Sequence, residues 1–236
     1  MLPGEQEHSG TFLLERLPER AAAEPGGWPA APPAAARIHE ARPKAGPGDG
    51  RMKPVDAKMG RLDIEPALAR ADLLAPPVAA ALAALDGTLP ADAVGVAEID
   101  PELADTAAFC ERYGVSPDVS ANCVVITGRR EGQVRYAACV VLATTRADVN
   151  GVARRELDVR KASFAPVDEA VAATGMEYGG ITPIGLPGGW PVLVDARVAA
   201  APRVVVGSGV RRSKLALPGR LLGRLPGAAV IEGLAR

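Results

Sequence analysis

Downstream of Met59 the apolar positions fall into separable blocks, each short enough to be assigned to one element. "PPVAAALAAL" (76–85) predicts a short helix, with proline at its entry and Gly87 beyond its end. "AVGVAEID" (93–100) reads as a strand, and "PELADTAAFCERYG" (101–114) as an amphipathic helix closed by Gly114. "ANCVVITGRREGQVRYAACVVLAT" (121–144) is two apolar runs around a charged turn that contains glycine, which predicts a hairpin. Nearly every residue of both runs is apolar, so both faces of the hairpin should be covered. "RADVNGVARREL" (146–157) reads as a helix despite Gly151, "DVRKASFA" (158–165) as a short strand, and "PVDEAVAATG" (166–175) as a helix between a proline and a glycine. Strands follow at 191–195 and 203–209, then a helix at 218–227 and a last strand at 228–233. Strands and single helices alternate irregularly, which suggests one α/β domain over residues 59–236, built on a mixed sheet of six or seven strands.

Residues 1–58 carry nine prolines and seven glycines without a period, in stretches such as "AAAEPGGWPAAPPAAA". That composition predicts a disordered tail, and no function is assigned to it. The 236-residue chain is 48% hydrophobic but only 3% aromatic, so Ala, Val and Leu must fill the core. Its net charge of −1 argues against a general nucleic-acid binder but hides a gradient. Residues 197–236 hold eight basic and one acidic residue, against 11 basic and 19 acidic over 59–196. A basic end on an acidic body either faces a phosphate backbone or is a solvated surface.

Histidine removes whole classes of chemistry. The two histidines, His8 and His39, both lie in the tail, so the folded part has no imidazole for a Ser-His-Asp or Cys-His site or for a zinc site. Cys110, Cys123 and Cys139 lack CxxC spacing and read as reduced thiols of a soluble, cytoplasmic protein. Cys123 reads as a buried structural thiol rather than a nucleophile, since it has no base to deprotonate it. "TFLLERL" (11–17) is too short and too charged to span a membrane or to form the core of a signal peptide.

Two glycine-rich segments remain, "YGGITPIGLPGG" (178–189) and "GSG" (207–209). Glycine lets another molecule approach the backbone and proline stiffens the path, so either a ligand comes close here or the glycines merely form tight turns. "VVITGRREGQVRYAACVVLATTRADVN", "LDVRKASFAPVDEAVAATGMEYGGITPIGLPGGWPVLVDARV" and "RVVVGSGVRRSKLALPGRLL", in that order, resemble the YbaK/EbsC family. These are aminoacyl-tRNA editing domains, found free-standing or inserted in prolyl-tRNA synthetases. The resemblance covers about residues 75–235 and is most specific at 174–183.

The resemblance implies a compact domain with a barrel-like sheet and flanking helices. It also implies hydrolysis of an amino acid wrongly attached to the acceptor end of a tRNA, without metal or organic cofactor and in association with a synthetase or free of one. Hydrolysis of an activated ester needs donors for the developing negative charge and a placed water, and backbone amides can supply the donors. In that reading Gly179 and Gly180 admit the ester to the main chain, with Gly180 donating, while Ile181 and Thr182 wall the pocket and Pro183 fixes the loop. Gly207, Ser208 and Gly209 form a second loop at a strand's carboxyl end, and Arg211, Arg212 and Lys214 after it meet the tRNA phosphates. Asp195 either orients loop amides, binds the substrate's ammonium or forms a simple turn.

The chain departs from the family at one point. Well-studied members carry a lysine at the start of the first hairpin strand that is central to editing, and the matching residue here is Asn122. Some members also have an acidic residue near the position of Lys214. Three readings stay open. Asn122 fills a weaker, uncharged version of the role, Lys161 reaches in with a replacement cation, or the site binds aminoacyl-tRNA or an amino-acid-like ligand without hydrolysing it.

Overall fold

A computed structural model describes residues 58–85 and 93–236. The predicted tail lies outside the described residues except for Lys58, as do His8, His39 and Gly87. Along the chain run β1 (Lys58–Met59), β2 (Leu62–Asp63), β3 (Glu65–Pro66), α1 (Pro76–Ala84), β4 (Gly95–Glu98) and α2 (Thr106–Tyr113). The hairpin follows as β5 (Ala121–Arg130) and β6 (Gln133–Leu142), then α3 (Arg154–Glu156), β7 (Ala162–Phe164) and α4 (Val167–Thr174). The last part comprises β8 (Val192–Asp195), α5 (Ala196–Ala200), β9 (Val204–Gly207), β10 (Ser213–Leu217), α6 (Gly219–Leu222) and β11 (Ala228–Ile231).

The architecture is mixed α/β, and among the described residues its strands form open sheets rather than a closed barrel. One sheet has the order β11-β8-β6-β5-β7, the other β3-β4-β10-β9, and β1 and β2 make a small ribbon. The single sheet expected from the sequence is therefore two. They meet where Ser120, just before β5, bridges Val205 of β9. The five-stranded sheet is mixed, because β8 runs parallel to both β6 and β11, while β5 pairs antiparallel with β6 and β7. The four-stranded sheet is antiparallel throughout.

The hairpin's continuous apolar runs are explained by burial on both faces. Val140 packs into a core shared with α1, β4, β9 and β10, including Val78, Val96, Val206 and Leu215. Its neighbours Cys139 and Val141 point the other way, onto Val149, Ala153, Leu157 and Leu234. The turn is two residues, Glu131 and Gly132, both at positive φ (52° and 79°), a twist that matches the flanking strands. Helices α2 and α4 end on Gly114 and Gly175 in the left-handed conformation, as the sequence predicts. The 146–157 segment is only partly an α-helix. It opens as a wide turn, Val149–Ala153, capped by Asp148, whose carboxylate accepts from the Gly151 amide at 3.0 Å. Among the described residues no helix is long and apolar enough to cross a membrane.

Candidate functional site

The two glycine-rich segments lie against each other. The Gly209 amide donates to the Gly180 carbonyl at 2.8 Å, and the Glu177 amide donates to the Gly209 carbonyl at 2.8 Å. Glycine is required at this seam. A Cβ on Gly207 would fall 2.2 Å from the Gly180 oxygen, and one on Gly180 would fall 2.6 Å from the Val210 backbone. The approach that the glycines allow is thus, in the first place, that of one loop to the other.

Beside this seam opens a cavity of about 410 Å³. Its walls come from β5 (Ala121 to Val125), β9 (Val205 to Gly207), Lys214 of β10, the start of α2, the β7–α4 corner and the loop residues Tyr178, Gly179 and Ile181. Most of the lining is apolar, and a few polar groups converge on it, the usual make-up of a small-ligand site. Asn122 is half-buried, and its side-chain carbonyl accepts from the Thr106 hydroxyl at 2.7 Å. That bond leaves the Asn122 amide NH₂ as the group to donate into the cavity.

Lys214 is only 8% exposed. Its ammonium donates to the Ala104 carbonyl at 2.9 Å and, more weakly, to the Gly179 carbonyl at 3.4 Å, and it lies 5.5 Å from the centre of the Phe109 ring. Burial, reinforced by the nearby Arg211 charge, pushes its pKa down to about 8, against a smaller opposing pull from Asp105. Asp105 stands at the N-terminus of α2 without a capping hydrogen bond, so its carboxylate is not spent on the helix.

Several residues singled out in the sequence lie elsewhere. Gly180 is behind the wall, and its amide donates to the Glu177 carbonyl at 2.9 Å, so it is not a spare donor for an ester. Thr182 and Pro183 are buried outside the cavity lining, the Thr182 hydroxyl without a hydrogen-bond partner among the described residues. Ser208 is buried against Ser213, their hydroxyls 2.7 Å apart, and Gly209 is buried in the seam. Asp195 closes β8 and is not among the residues that line the cavity. It accepts from Arg197 Nε at 2.8 Å, from the Arg197 amide at 3.0 Å and from the Ala235 amide at 3.0 Å. Burial alone would raise its pKa, but these partners hold the carboxyl below its ordinary value.

The basic residues after the second loop are also committed. Arg211 Nε and Nη2 donate to the Pro101 carbonyl at 3.2 and 2.9 Å, its Nη1 donates to the Tyr178 carbonyl at 3.3 Å, and its amide donates to Glu177 at 2.6 Å. Arg212 stays on the surface and donates to the Asp72 carbonyl. Lys161 is exposed and does not line the cavity. Burial pushes the thiols of Cys123 and Cys139 up, the latter to about 12, which leaves both inert as nucleophiles. Among the described residues no cluster of His, Cys, Asp or Glu is placed to hold a metal.

Of the residues named from the sequence, Asn122, Cys123, Gly179, Ile181, Gly207 and Lys214 are the ones brought together on the cavity. Asp105, Thr106 and two exposed aromatic residues on the rim, Phe164 and Tyr178, were not anticipated. Nothing local marks them, because their shared position depends on tertiary packing.

The model of the aminoacyl-tRNA editing domain family matches residues 100–225, just over half of the chain and within the stretch the sequence comparison covers. No curated protein matches the chain. Among solved structures, a protein described as a candidate trans-editing enzyme for prolyl tRNA synthetase aligns at TM-score 0.55 and 22% identity, over 67% of this chain and 97% of that one. A structure from epitope backbone grafting by computational design aligns at TM-score 0.56 and 21% identity, over the same shares. A hypothetical protein aligns at TM-score 0.50 and 22% identity, over 56% of this chain and 85% of its own. At those identities the structures attest to the fold, and the family match carries the assignment. The chain belongs to the aminoacyl-tRNA editing domain family, the YbaK type that its glycine-rich loops resemble.

Proposed function

We propose that the protein hydrolyses the ester bond of mischarged aminoacyl-tRNA, acting in trans on the acceptor end. The observation that carries this reading is the cavity itself: both glycine-rich segments and the first hairpin strand converge on one hollow of amino-acid size. In it the aminoacyl side chain meets the apolar wall of Val125, Ala170, Ile181 and Val206. The Asn122 NH₂ donates to the acyl oxygen, and Asp105, rather than Asp195, receives the α-ammonium. Water adds to the acyl carbon and the bond from that carbon to the ribose oxygen breaks. The ribose oxygen takes one of the water's protons and the other is lost to solvent as the product carboxylate forms. Phe164 and Tyr178, each 60% exposed at the rim, offer flat faces on which unpaired terminal bases stack.

A panel of mischarged tRNAs incubated with purified protein tests this. At least one should lose its amino acid faster than in buffer, with a lysine-bearing relative assayed in parallel as the positive control. If none does while the relative works, hydrolysis is excluded. The second reading, a module that binds aminoacyl-tRNA without turnover, is favoured by the uncharged Asn122. The same panel separates it, since a binder retains the charged tRNA on a filter and leaves its ester intact.

A further inference from the structure

Lys214 is the most costly group in the cavity wall. An ammonium is seldom this deeply buried without a carboxylate beside it. Among the described residues the hydrogen bonds of Lys214 run only to the carbonyl oxygens of Ala104 and Gly179, and it forms no ion pair. An ammonium has three N–H donors, so two carbonyls leave one unspent. The groups that bear on its charge are Asp105 and Cys110 from the α2 segment and Arg211 from the loop before β10. Its strand partners, Ala97 of β4 and Gly207 of β9, carry no charge. The Gly179 contact ties the ammonium to the loop that walls the cavity, which Asn122 of β5 also lines.

A buried cation with one donor unspent and no carboxylate in ion-pair contact among the described residues is matched by a ligand that brings negative charge. We propose that Lys214 is the cation that holds the acyl oxygen of the bound aminoacyl group, stabilising the charge that oxygen gains as water attacks. This deepens the deacylase reading and rests on it. The same chemistry serves the carboxylate of the released amino acid. Lys214 forms no covalent bond and gives up no proton in the step. The exposed Lys161, which the sequence offered as a replacement cation, has no such position.

The test uses the full chain, with folding of each variant followed by circular dichroism. Lys214→Met should lose about 10²–10³-fold in kcat on the aminoacyl-tRNA that responds, the usual effect of removing one oxyanion donor. The double variant Asn122→Lys with Lys214→Met should recover at least about tenfold, because it returns a cation to another wall of the same cavity. A folded Lys214→Met that keeps activity within about threefold of wild type, or a folded double variant with no recovery, overturns the proposal.

A second arm needs neither variant. The Lys214 ε-carbon of the wild-type protein is followed by NMR while acetate or acetamide is added at matched ionic strength. Acetate should move the resonance and raise its titration midpoint, and acetamide should do neither. An equal response to both, or none to either, overturns the assignment even where Lys214→Met fails to fold. Acetate titrating Lys214 in a protein that hydrolyses no aminoacyl-tRNA would instead sink the deacylase reading and leave the anion-binding lysine standing.

Discussion

At the residue scale, the burial that lowers the Lys214 pKa from 10.5 to about 8 links one proton to two measurable properties. Deacylation corrected for the buffer rate should fall as pH rises through about 8, since the ammonium is the form that binds the acyl oxygen. Folding stability should move the other way. Between about 8 and 10.5 the unfolded chain binds the proton that the folded chain has lost, so stability rises with pH across that window. The full shift corresponds to on the order of 3 kcal/mol. The comparison is the difference between wild type and Lys214→Met in urea melts at pH 7 and pH 10. Subtraction is needed because Cys123 and Cys139, whose thiols burial holds above 9.0, pull the curve down at alkaline pH in both proteins. A difference that does not vary with pH would mean that Lys214 titrates as a solvated lysine.

At the element scale, the seam between the two loops is set by a strand residue with no side chain. Gly207 ends β9 opposite Lys214, and a methyl group there would meet the Gly180 oxygen at 2.2 Å and the Ile181 oxygen at 2.7 Å. Both contacts are backbone, so the loop rather than a flexible side chain must move. Gly207→Ala should therefore cost about 1–3 kcal/mol, as overpacking does, and reduce deacylation by displacing the wall. Gly188→Ala, with nothing within 4 Å, is the control and should leave the urea midpoint unchanged.

The same stretch shows what could and could not be read beforehand. The hairpin, the capped helices and most strands follow from local periodicity, and the family's loops stand out by composition. Strand β10 does not. "SKLAL" follows two arginines and reads as the tail of a basic loop, but all five residues are buried, and the lysine among them lines the cavity. A strand covered on both faces carries no alternation by which to recognise it. The predicted helix over 218–227 shrinks to Gly219–Leu222 for a local reason, because Gly223 and Pro226 end it.

At the scale of the whole molecule, two cations of the basic end, Arg211 and Lys214, are spent on backbone carbonyls, while Arg212, Arg220, Arg224 and Arg236 stay exposed. Arg211 works as a clasp. Its guanidinium joins the Pro101 turn before α2 to Tyr178 of the glycine loop, and its amide holds Glu177, so two segments, at 101 and at 177–178, are tied to the loop it sits on. A guanidinium bonded to carbonyl oxygens keeps its charge but has fewer donors left for a phosphate. These two roles separate on ionic strength. A side chain that neutralises one phosphate contributes roughly 0.7–0.9 to the slope of log affinity against log salt. Arg211→Ala should leave that slope for tRNA binding unchanged while lowering the thermal midpoint and the deacylation rate, because the loop it clasps comes loose. Loss of about one phosphate's worth of slope with no change in melting would place Arg211 on the acceptor stem instead. It would also move tRNA recognition back to the charge gradient, away from the aromatic rim formed by Phe164 and Tyr178.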